Sequence, residues 1–280
     1  MPQHDSDSEK MKKYRIGDFA RCMGVSASFL KHYEQSGLID AETAANGYRY
    51  YPFNQSAHLL ACIGLHNYGF SLSETKTLLY DNTAGLITEK LAQKSEEIRR
   101  RIEREEAFAE EMEWMQRWFT QVRGTGFFSE ITMQEELYFL PHTSGRSFLP
   151  DERIYRLLPE WTQWMPVVKS CRRLSCQPEP SGHSDFCWGL IIPKAFAKHH
   201  HLPVNDAVTV VPARKILHFC YYLKDSASCK GTDDSLGYAL RQLDSQELTV
   251  DGDYLYHIDL LRTHTAQGRE RLGYYLIPVA

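Results

Sequence analysis

Residues 88–122 contain neither proline nor glycine, and this uninterrupted stretch restricts the fold more than any other feature of the 280-residue chain. A long helix requires a run without these two breakers. Side chains recur at seven-residue intervals in two series, with polar interruptions at Ser95 and Glu105. A solvated single helix would fit the run, but its place between two segments of different texture favours a coiled coil that joins two copies of the chain. The series are Leu91, Ile98, Glu105, Met112 and Phe119, and Ser95, Ile102 and Ala109.

The segment before this helix is predicted to begin with two short helices joined by a turn. Gly24 interrupts a helical apolar pattern, and Ser26 stands where an N-cap residue would open the second helix. Such a pair is a helix-turn-helix candidate, whose second helix enters the DNA major groove; an ordinary helical hairpin with a solvated face is the alternative. The apolar positions are Ile16, Phe19, Ala20, Met23, Phe29, Leu30 and Tyr33, and the free face of the second helix carries Ala27, Ser28, Lys31 and His32.

The run GYRYYP at 47–52 is unusual for a turn because it places three tyrosines around Arg49. Asn46 and Gly47 suit the tip of a hairpin, which needs residues that tolerate positive φ. An arginine fork matches phosphate oxygens, and tyrosine offers a flat ring with a hydroxyl donor. The run is therefore predicted to be a small β-wing that holds a nucleic-acid backbone, unless the tyrosines simply pack on a small core.

The distribution of charge favours the nucleic-acid interpretation. The whole chain has a net charge of −4, yet residues 10–80 carry eight Lys and Arg against five acidic residues. Residues 124–280 carry sixteen basic and eighteen acidic residues. The positive balance is local to the segment that contains the predicted wing.

A second helix pair is predicted at 53–68 and 72–79, divided by Gly69. Ser71 and Glu74 have the spacing of a capping box at the start of the later helix.

From Phe127 onward, apolar and polar residues alternate in several runs, which predicts strands. The runs are SEITMQEELYFLP, DAVTVVPARKILHFCYYL, GDYLYHIDLL and RLGYYLIPV, and helices are predicted at 154–169 and 236–243. Together they indicate an α+β domain with a mostly antiparallel sheet. Most of its many aromatic rings are expected in the core, but the number of tyrosines suggests that some face a cavity suited to flat or cationic ligands.

The composition, with 42% hydrophobic and 24% charged residues, is that of a folded chain long enough for two or three domains. There is no apolar run of the length needed to span a bilayer, and the polar first ten residues do not resemble a signal peptide. We expect residues 1–12 to be a flexible tail. Seven scattered cysteines are typical of reduced thiols in a cytoplasmic protein.

Taken in order, these motifs resemble the MerR family of transcriptional regulators over residues 14 to about 120. The resemblance rests on IGDFARCMGVSASFLKHYEQSGLI, GYRYY and NYGFSLSETKTLL, followed by the long helix. It implies a winged helix-turn-helix DNA-binding domain at 13–82 and an antiparallel coiled-coil dimerisation helix at 86–123. The residues implied in DNA binding are Arg15, Ser26, Ala27, Ser28, Lys31, His32, Tyr33, Tyr48, Arg49 and Tyr50.

The second helix departs from the family pattern, which usually reads Thr-Leu-Arg-Tyr-Tyr. Here the run is Phe29-Leu30-Lys31-His32-Tyr33. Lys31 keeps the positive charge of the usual arginine but loses its fork, and Phe29 replaces a small polar residue. We therefore expect an operator sequence different from that of family members with the usual run.

Residues 127–280 resemble the GyrI-like effector-binding domain of multidrug-sensing family members, on DFCWGLIIP, VPARKILHFCYYL, GDYLYHIDLL and YYLIPV. This resemblance implies an aromatic pocket with a buried acidic group that binds bulky aromatic or cationic compounds. Asp259 is the first candidate for the acid and Glu160 the second. The expected ligand-binding residues are Tyr138, Glu160, Trp161, Trp164, Trp188, Tyr222, Tyr254, Tyr256, Asp259 and Tyr274.

No cofactor, metal or catalytic residue is expected. Cys171 and Cys176 lack a matching second pair, and the run 199–201 of three histidines fits a solvated turn better than a metal site. No nucleophile elbow, Walker loop or GxGxxG run is present. A GyrI-like hydrolase and a ligand-sequestering protein are the competing functions.

The family resemblance also implies partners and a mechanism. A homodimer would bind a palindromic operator in double-stranded promoter DNA together with RNA polymerase. Binding of a ligand would favour a bent and untwisted DNA that realigns the promoter elements, which is regulation by DNA shape.

Overall fold

The computed structural model describes residues 11–45, 47–80, 83–176, 186–226, 235–265 and 268–280. Most of the expected tail, at 1–10, and Asn46 of the expected hairpin tip lie outside these residues. The chain divides between Glu103 and Arg104 into two compact units. Within the described ranges, no helix is both long enough and apolar enough to cross a membrane.

The amino-terminal unit begins with the predicted pair of short helices. The first helix ends at Gly24, whose φ of 68° lies in the left-handed region that glycine adopts without strain. Ser26 caps the second helix, because its side chain accepts a hydrogen bond from the backbone N–H of Phe29 at 3.0 Å. The helix-turn-helix prediction is therefore confirmed. The elements as far as the long helix are β1 (Lys13–Arg15), α1 (Ile16–Met23), α2 (Ala27–Gln35), β2 (Glu42–Thr43), β3 (Arg49–Pro52), α3 (Gln55–Asn67), α4 (Leu72–Tyr80) and α5 (Ala84–Thr125).

The predicted wing is a three-stranded antiparallel sheet in the order β1-β3-β2. Its attachment to the helices comes from Tyr51, which is fully buried and stacks on Phe19 with ring centroids 5.2 Å apart. The core of the unit is built by the apolar faces of α1, α2, β3 and α3 and consists of Phe19, Ala20, Leu30, Tyr33, Leu38, Ile39, Tyr51, Leu59 and Cys62.

The second helix pair is also confirmed. Before α4, the N–H of Ser71 donates to Glu74 Oε2 at 2.8 Å, and the N–H of Glu74 donates to Ser71 Oγ at 3.2 Å. These reciprocal bonds form the capping box expected from the sequence, and the hydrogen bond from Ser71 lowers the pKa of Glu74.

The long helix is continuous over 42 residues, about 63 Å at the rise of an α-helix. It contributes to both units, since the division between them falls within it. Leu91, Ile102 and Met112 of the two heptad series are exposed within the protomer, by 42%, 50% and 60% respectively.

The carboxy-terminal unit is built on an eight-stranded antiparallel sheet in the order β10-β5-β9-β8-β12-β13-β11-β4. The longest pairing joins β11 to β13, in continuous register from Ile216–Pro278 to Ser226–Gly268. The elements of the unit are β4 (Phe127–Gln134), β5 (Leu137–Pro141), β6 (Thr143–Ser144), β7 (Ser147–Phe148), α6 (Glu152–Tyr155), α7 (Leu158–Thr162), β8 (Lys169–Ser175), β9 (Phe186–Pro193), α8 (Lys194–His199), β10 (Thr209–Val211), β11 (Arg214–Ser226), α9 (Ser235–Ser245), β12 (Tyr254–Thr265) and β13 (Gly268–Pro278).

The two faces of this sheet are covered differently. The inner face, which carries Phe139, Tyr256 and Tyr274, packs against Trp118 and Val122 of α5. The outer face packs against α6, α7 and α8 at one end and against α9 at the other. Because side chains alternate along a strand, neighbouring residues of β5, β9, β11, β12 and β13 contribute to opposite cores.

Three predictions of local structure were wrong. The helix expected at 154–169 ends at Thr162, and the chain enters strand β8 at Lys169, since Pro166 cannot continue a helix hydrogen-bond ladder. The run SEITMQEELYFLP was expected to be one strand but forms β4 and β5, which lie in different parts of the sheet. The run DAVTVVPARKILHFCYYL likewise divides, at Pro212, into β10 and β11.

Candidate functional site

The amino-terminal unit presents one exposed face on α2. Ser28, Lys31 and His32 are exposed and Ala27 is half-buried, whereas Leu30 and Tyr33 on the other side of the helix are buried. Lys31 makes no hydrogen bond or ion pair with any residue that the structure describes. The exposed face therefore combines a free ammonium group with small and polar side chains, as a helix that enters a DNA groove requires.

Two of the expected DNA-binding residues have structural roles in this unit. Tyr33 is only 2% exposed and its ring stacks on Phe29, so that the ring belongs to the core and not to the exposed face of α2. Ser26 is exposed, but its hydroxyl oxygen is occupied as the cap of α2.

The three tyrosines of the wing occupy different environments. Tyr48 is 57% exposed and lies under the guanidinium of Arg15, 5.0 Å from its ring centroid, while Tyr50 is half-buried. Tyr51 is buried, so the alternative of core packing holds for this ring alone. Arg15, Tyr48 and Arg49 line a shallow surface cleft together with the first turn of α1, and two arginines in such a cleft suit a phosphate group.

Glu34 joins the wing to α2. Its Oε2 accepts hydrogen bonds from the hydroxyl of Tyr51 at 3.0 Å and from the guanidinium of Arg49 at 3.1 Å. Burial and the bond to Glu34 raise the pKa of Tyr51 to about 12. The contact fixes the position of the wing relative to α2, although sequence reasoning assigned Glu34 no role.

The carboxy-terminal unit contains two adjoining cavities on the inner face of its sheet. The tryptophan cavity, of about 280 Å³, is lined by Trp114, Lys169, His218 and Tyr274, among others. The arginine cavity, of about 320 Å³, is lined by Arg173, Arg214, Tyr254 and Tyr256, among others. The two cavities share the lining residues Gln134, Ile216 and Leu276.

An aromatic cluster forms one wall of the tryptophan cavity. Trp114 and Trp118 lie one helical turn apart on α5 and stack with centroids 5.6 Å apart and an interplanar angle of 7°. Both indoles meet the ring of Tyr274 edge-on, at 5.9 and 6.0 Å. The His218 ring contacts the same tyrosine at 4.9 Å, and burial lowers the pKa of His218 despite the nearby carboxylate of Glu130.

The structure brings only part of the expected ligand-binding set to these cavities. Tyr254, Tyr256 and Tyr274 line them, and Tyr222 lies on the inner face but packs against Phe119. The residues that lie elsewhere are Tyr138, Trp161, Trp164 and Trp188, which belong to the outer face, and Glu160, which is exposed on α7.

Asp259 also lies away from the cavities. It is on the outer face, where it accepts hydrogen bonds from Tyr221 at 3.1 Å and Arg262 at 2.7 Å. Trp161 is fully buried, and its indole N–H donates to the carbonyl of Pro203 at 2.9 Å. These contacts assign Asp259 and Trp161 to the structure of the outer face.

The carboxylate beside the tryptophan cavity is Glu111 of α5. Its Oε1 is 2.8 Å from Lys169 Nζ, and both side chains are largely buried. Sequence reasoning missed Glu111 and Trp114 because it assigned α5 to dimerisation alone. The signal present in the sequence was the pair Trp114 and Trp118 at i, i+4 spacing in an otherwise charged helix.

Among the described residues, no group of three or more His, Cys, Asp and Glu side chains is placed to hold a metal ion. In the histidine run, His200 packs against Trp164 and Phe196, at 4.4 and 4.2 Å between ring centroids. Burial raises the pKa of Cys171.

Comparison with known proteins supports the assignment of the amino-terminal unit. Residues 14–82 match the model of the MerR HTH family regulatory proteins. A multidrug-efflux transporter 2 regulator of Bacillus subtilis is 35% identical over 97 residues, which cover 34% of this chain and 36% of that protein. The nodulation protein NolA of Bradyrhizobium diazoefficiens is 32% identical over 76 residues, which cover 27% of this chain and 32% of that protein.

The chain thus spans about a third of the length of these two curated relatives. Among solved structures, the EcmrR–DNA complex in an EcmrR–RPo assembly aligns over 95% of this chain and 99% of its own, at 18% identity and a TM-score of 0.39. The matched residues 14–82 contain both helices of the helix-turn-helix and all of the wing except the first residue of β1. This chain carries the helix-turn-helix domain of the MerR family of regulatory proteins.

Proposed function

We propose that this protein is a ligand-responsive transcription regulator that binds promoter DNA as a homodimer. The observation that carries the proposal is the exposed face of α2 beside the wing held by Glu34, within a segment that matches a family of regulatory proteins. A free ammonium on Lys31 and two exposed arginines near the wing provide the positive charge that phosphates attract.

Dimerisation is proposed to occur through α5. The exposed side chains of Leu91, Ile102 and Met112 follow the seven-residue repeat, so that a second copy of the helix would cover them. An antiparallel pair of such helices relates two helix-turn-helix units by a two-fold axis, and this symmetry matches a palindromic operator.

The cavities on the inner face are proposed to bind the effector. Their aromatic walls suit a flat or bulky compound, and α5 itself forms part of the wall through Trp114. The resemblance to multidrug-sensing family members supports a mechanism in which the effector favours a bent promoter that RNA polymerase can use. Such switching requires that the effector bind more tightly to one of the two protein conformations.

The protein is proposed to act in the cytoplasm by binding and not by catalysis. Support comes from the matched family and the first curated relative, which are both described as regulatory. Sequestration of toxic compounds is the second candidate, because the two cavities would also serve that function. Ligand-dependent transcription from the native promoter distinguishes a regulator from a sequestering protein.

The first test is a mobility-shift titration with the DNA fragment upstream of the protein's own gene, compared with a scrambled duplex at increasing salt. We expect specific retention of the native fragment. Lys31→Ala should weaken binding to both duplexes and reduce the slope of log K against log salt by about 0.9, the effect of one lost phosphate contact.

Lys198→Ala is the matched control, because Lys198 is also exposed but lies on α8 of the carboxy-terminal unit. This variant should retain both the affinity and the salt slope. Equal affinity of the wild-type protein for the native and scrambled fragments at every salt concentration would reject regulation and favour sequestration.

A further inference from the structure

The charges around the two cavities indicate which class of ligand they accept, an inference that rests on the proposed effector role of the cavities. In the arginine cavity, the guanidinium of Arg173 lies 4.4 Å from the ring centroid of Tyr254 and 5.1 Å from that of Phe139. In the tryptophan cavity, the ammonium of Lys169 lies 5.5 Å from the ring centroid of Trp114. The protein's own cations therefore occupy the ring faces that would attract a cationic ligand.

Arg173 keeps its hydrogen-bonding capacity for a ligand. It is half-buried, and no carboxylate in the described part of the chain pairs with it. Stacking uses the faces of a guanidinium but leaves the N–H groups at its edge free to donate. A half-buried guanidinium without a carboxylate is a binding group for an anion.

Arg214 adds a second guanidinium to the same cavity. One of its nitrogens donates to the carbonyl oxygen of Asp251 at 3.1 Å, which leaves its charge without a carboxylate partner among the described residues. Burial raises the pKa of Tyr256, while Arg173 and Arg214 both act to lower it, so both guanidiniums lie near its hydroxyl. Two arginines and one phenol thus converge on the arginine cavity.

The acidic residues near the cavities do not cancel this charge. Asp253, which also lines the arginine cavity, is exposed at its rim, and Glu135 is exposed at the rim of the tryptophan cavity. Glu111 is already neutralised by Lys169 at 2.8 Å. An incoming cation would meet Arg173 and Arg214, whereas an anion would find their donors available.

We propose that the effector is an amphiphilic anion, whose aromatic or acyl body lies in the tryptophan cavity and whose carboxylate is bound by Arg173 and Arg214. The adjoining positions of the cavities, which share Gln134, Ile216 and Leu276, allow one elongated molecule to occupy both. The proposal replaces the cationic ligand expected from the family resemblance with one of opposite charge.

The test uses three probes that differ only in their head group: 4-phenylbutyrate, neutral 4-phenylbutanamide and cationic 4-phenylbutylammonium. Binding to the full-length protein is measured by isothermal titration calorimetry and by tryptophan fluorescence. We expect the carboxylate to bind about tenfold or more tightly than the ammonium compound, with the amide between them.

The variants Arg173→Gln and Arg214→Gln should each weaken 4-phenylbutyrate about tenfold while leaving the affinity of the amide unchanged. Arg156→Gln is the control, since it removes the same charge from an exposed position outside the cavities. If Arg173→Gln does not fold, as judged by its fluorescence spectrum, Arg214→Gln provides the test alone.

Three results would overturn the proposal: tighter or equal binding of the ammonium compound, no binding of the carboxylate at millimolar concentration, or unchanged carboxylate affinity in the folded variants. A mobility shift without any probe is measured on the same preparations. Loss of promoter recognition would reject the regulatory function while leaving the head-group preference measurable, so the two failures are distinguishable.

Discussion

Glu34 shows how one side chain can join two elements of a small domain. Its single Oε2 atom accepts from both Tyr51 and Arg49, so the wing is held by a neutral donor and a charged donor at the same point. The charged donor is half-exposed, which limits its contribution to stability. The buried tyrosine hydroxyl is therefore the more important of the two partners.

Removing this hydroxyl should loosen the wing. Tyr51→Phe leaves the ring stacked on Phe19 but deprives Glu34 of its buried donor, at a cost of about 1 kcal/mol. We expect backbone amides of α2 and β3 to exchange with deuterium about fivefold faster, as measured by hydrogen exchange with mass spectrometry. Tyr68→Phe, at an exposed position of the same unit, should leave these rates unchanged; equal rates in both variants would contradict the role of Tyr51.

His218 makes a prediction about pH. Burial lowers its pKa in the folded protein, so the unfolded chain binds more protons between the folded pKa and the usual value near 6.5. The stabilisation is complete above about 6.5 and is lost as the pH falls toward the folded pKa. Burial lowers the pKa of His142 as well, which adds a dependence of the same sign.

We therefore expect His218→Gln to flatten the decline in the free energy of unfolding between about pH 7 and pH 5.5, where one histidine contributes at most about 1.4 kcal/mol per pH unit. Urea unfolding followed by tryptophan fluorescence measures this slope, because all five tryptophans of the chain lie in the carboxy-terminal unit. His199→Gln, at an exposed position, is the control. A wild-type slope in His218→Gln would show that His218 does not carry this dependence.

At the scale of elements, α5 has two different kinds of apolar surface. Trp114, Trp118 and Val122 belong to the inner face of the sheet within the carboxy-terminal unit, whereas Leu91 and Ile102 are exposed in the protomer. The heptad pattern predicted the helix correctly but did not separate these two roles. The two ranges overlap along the sequence, and only the three-dimensional packing assigns each residue to a partner.

A charge placed in the proposed dimer interface should separate the protomers. Ile102→Asp would bury a carboxylate without a partner between two copies of α5, and we expect the dissociation constant of the dimer to rise at least about a hundredfold. Analytical ultracentrifugation over a range of concentrations measures this change. Gln93→Asp, outside both heptad series, should leave the dimer intact. An unchanged sedimentation profile in Ile102→Asp would place the dimer interface elsewhere.

The period of the strands explains why sequence reasoning distributed the ligand-binding residues incorrectly between the faces. Tyr254 and Tyr256 are two residues apart and share the inner face, while Asp259 is three residues from Tyr256 and therefore lies on the outer one. The alternation was present in the sequence. The rule was applied to identify the strand but not to ask which of its residues could meet.

For the whole molecule, local signals were sufficient where the chain closes its own hydrogen bonds. The caps at Ser26 and Ser71, the glycine turn at Gly24 and the long helix all follow from neighbouring residues, and the structure confirms them. The order of the eight strands does not follow from such signals, because β4 and β5 are adjacent in sequence but distant in the sheet. The cavities depend on that order, since Arg173 and Arg214 come from strands that the sequence does not pair.

The separation of roles along α2 has a consequence for how new operators can be acquired. Leu30 and Tyr33 anchor the helix in the core and Glu34 ties it to the wing, whereas Ser28, Lys31 and His32 support none of these contacts. Duplicated copies of the gene could therefore diverge at those three positions with little loss of stability. Recognition can change in single steps while the scaffold remains intact, which is a favourable arrangement for the evolution of separate regulatory circuits.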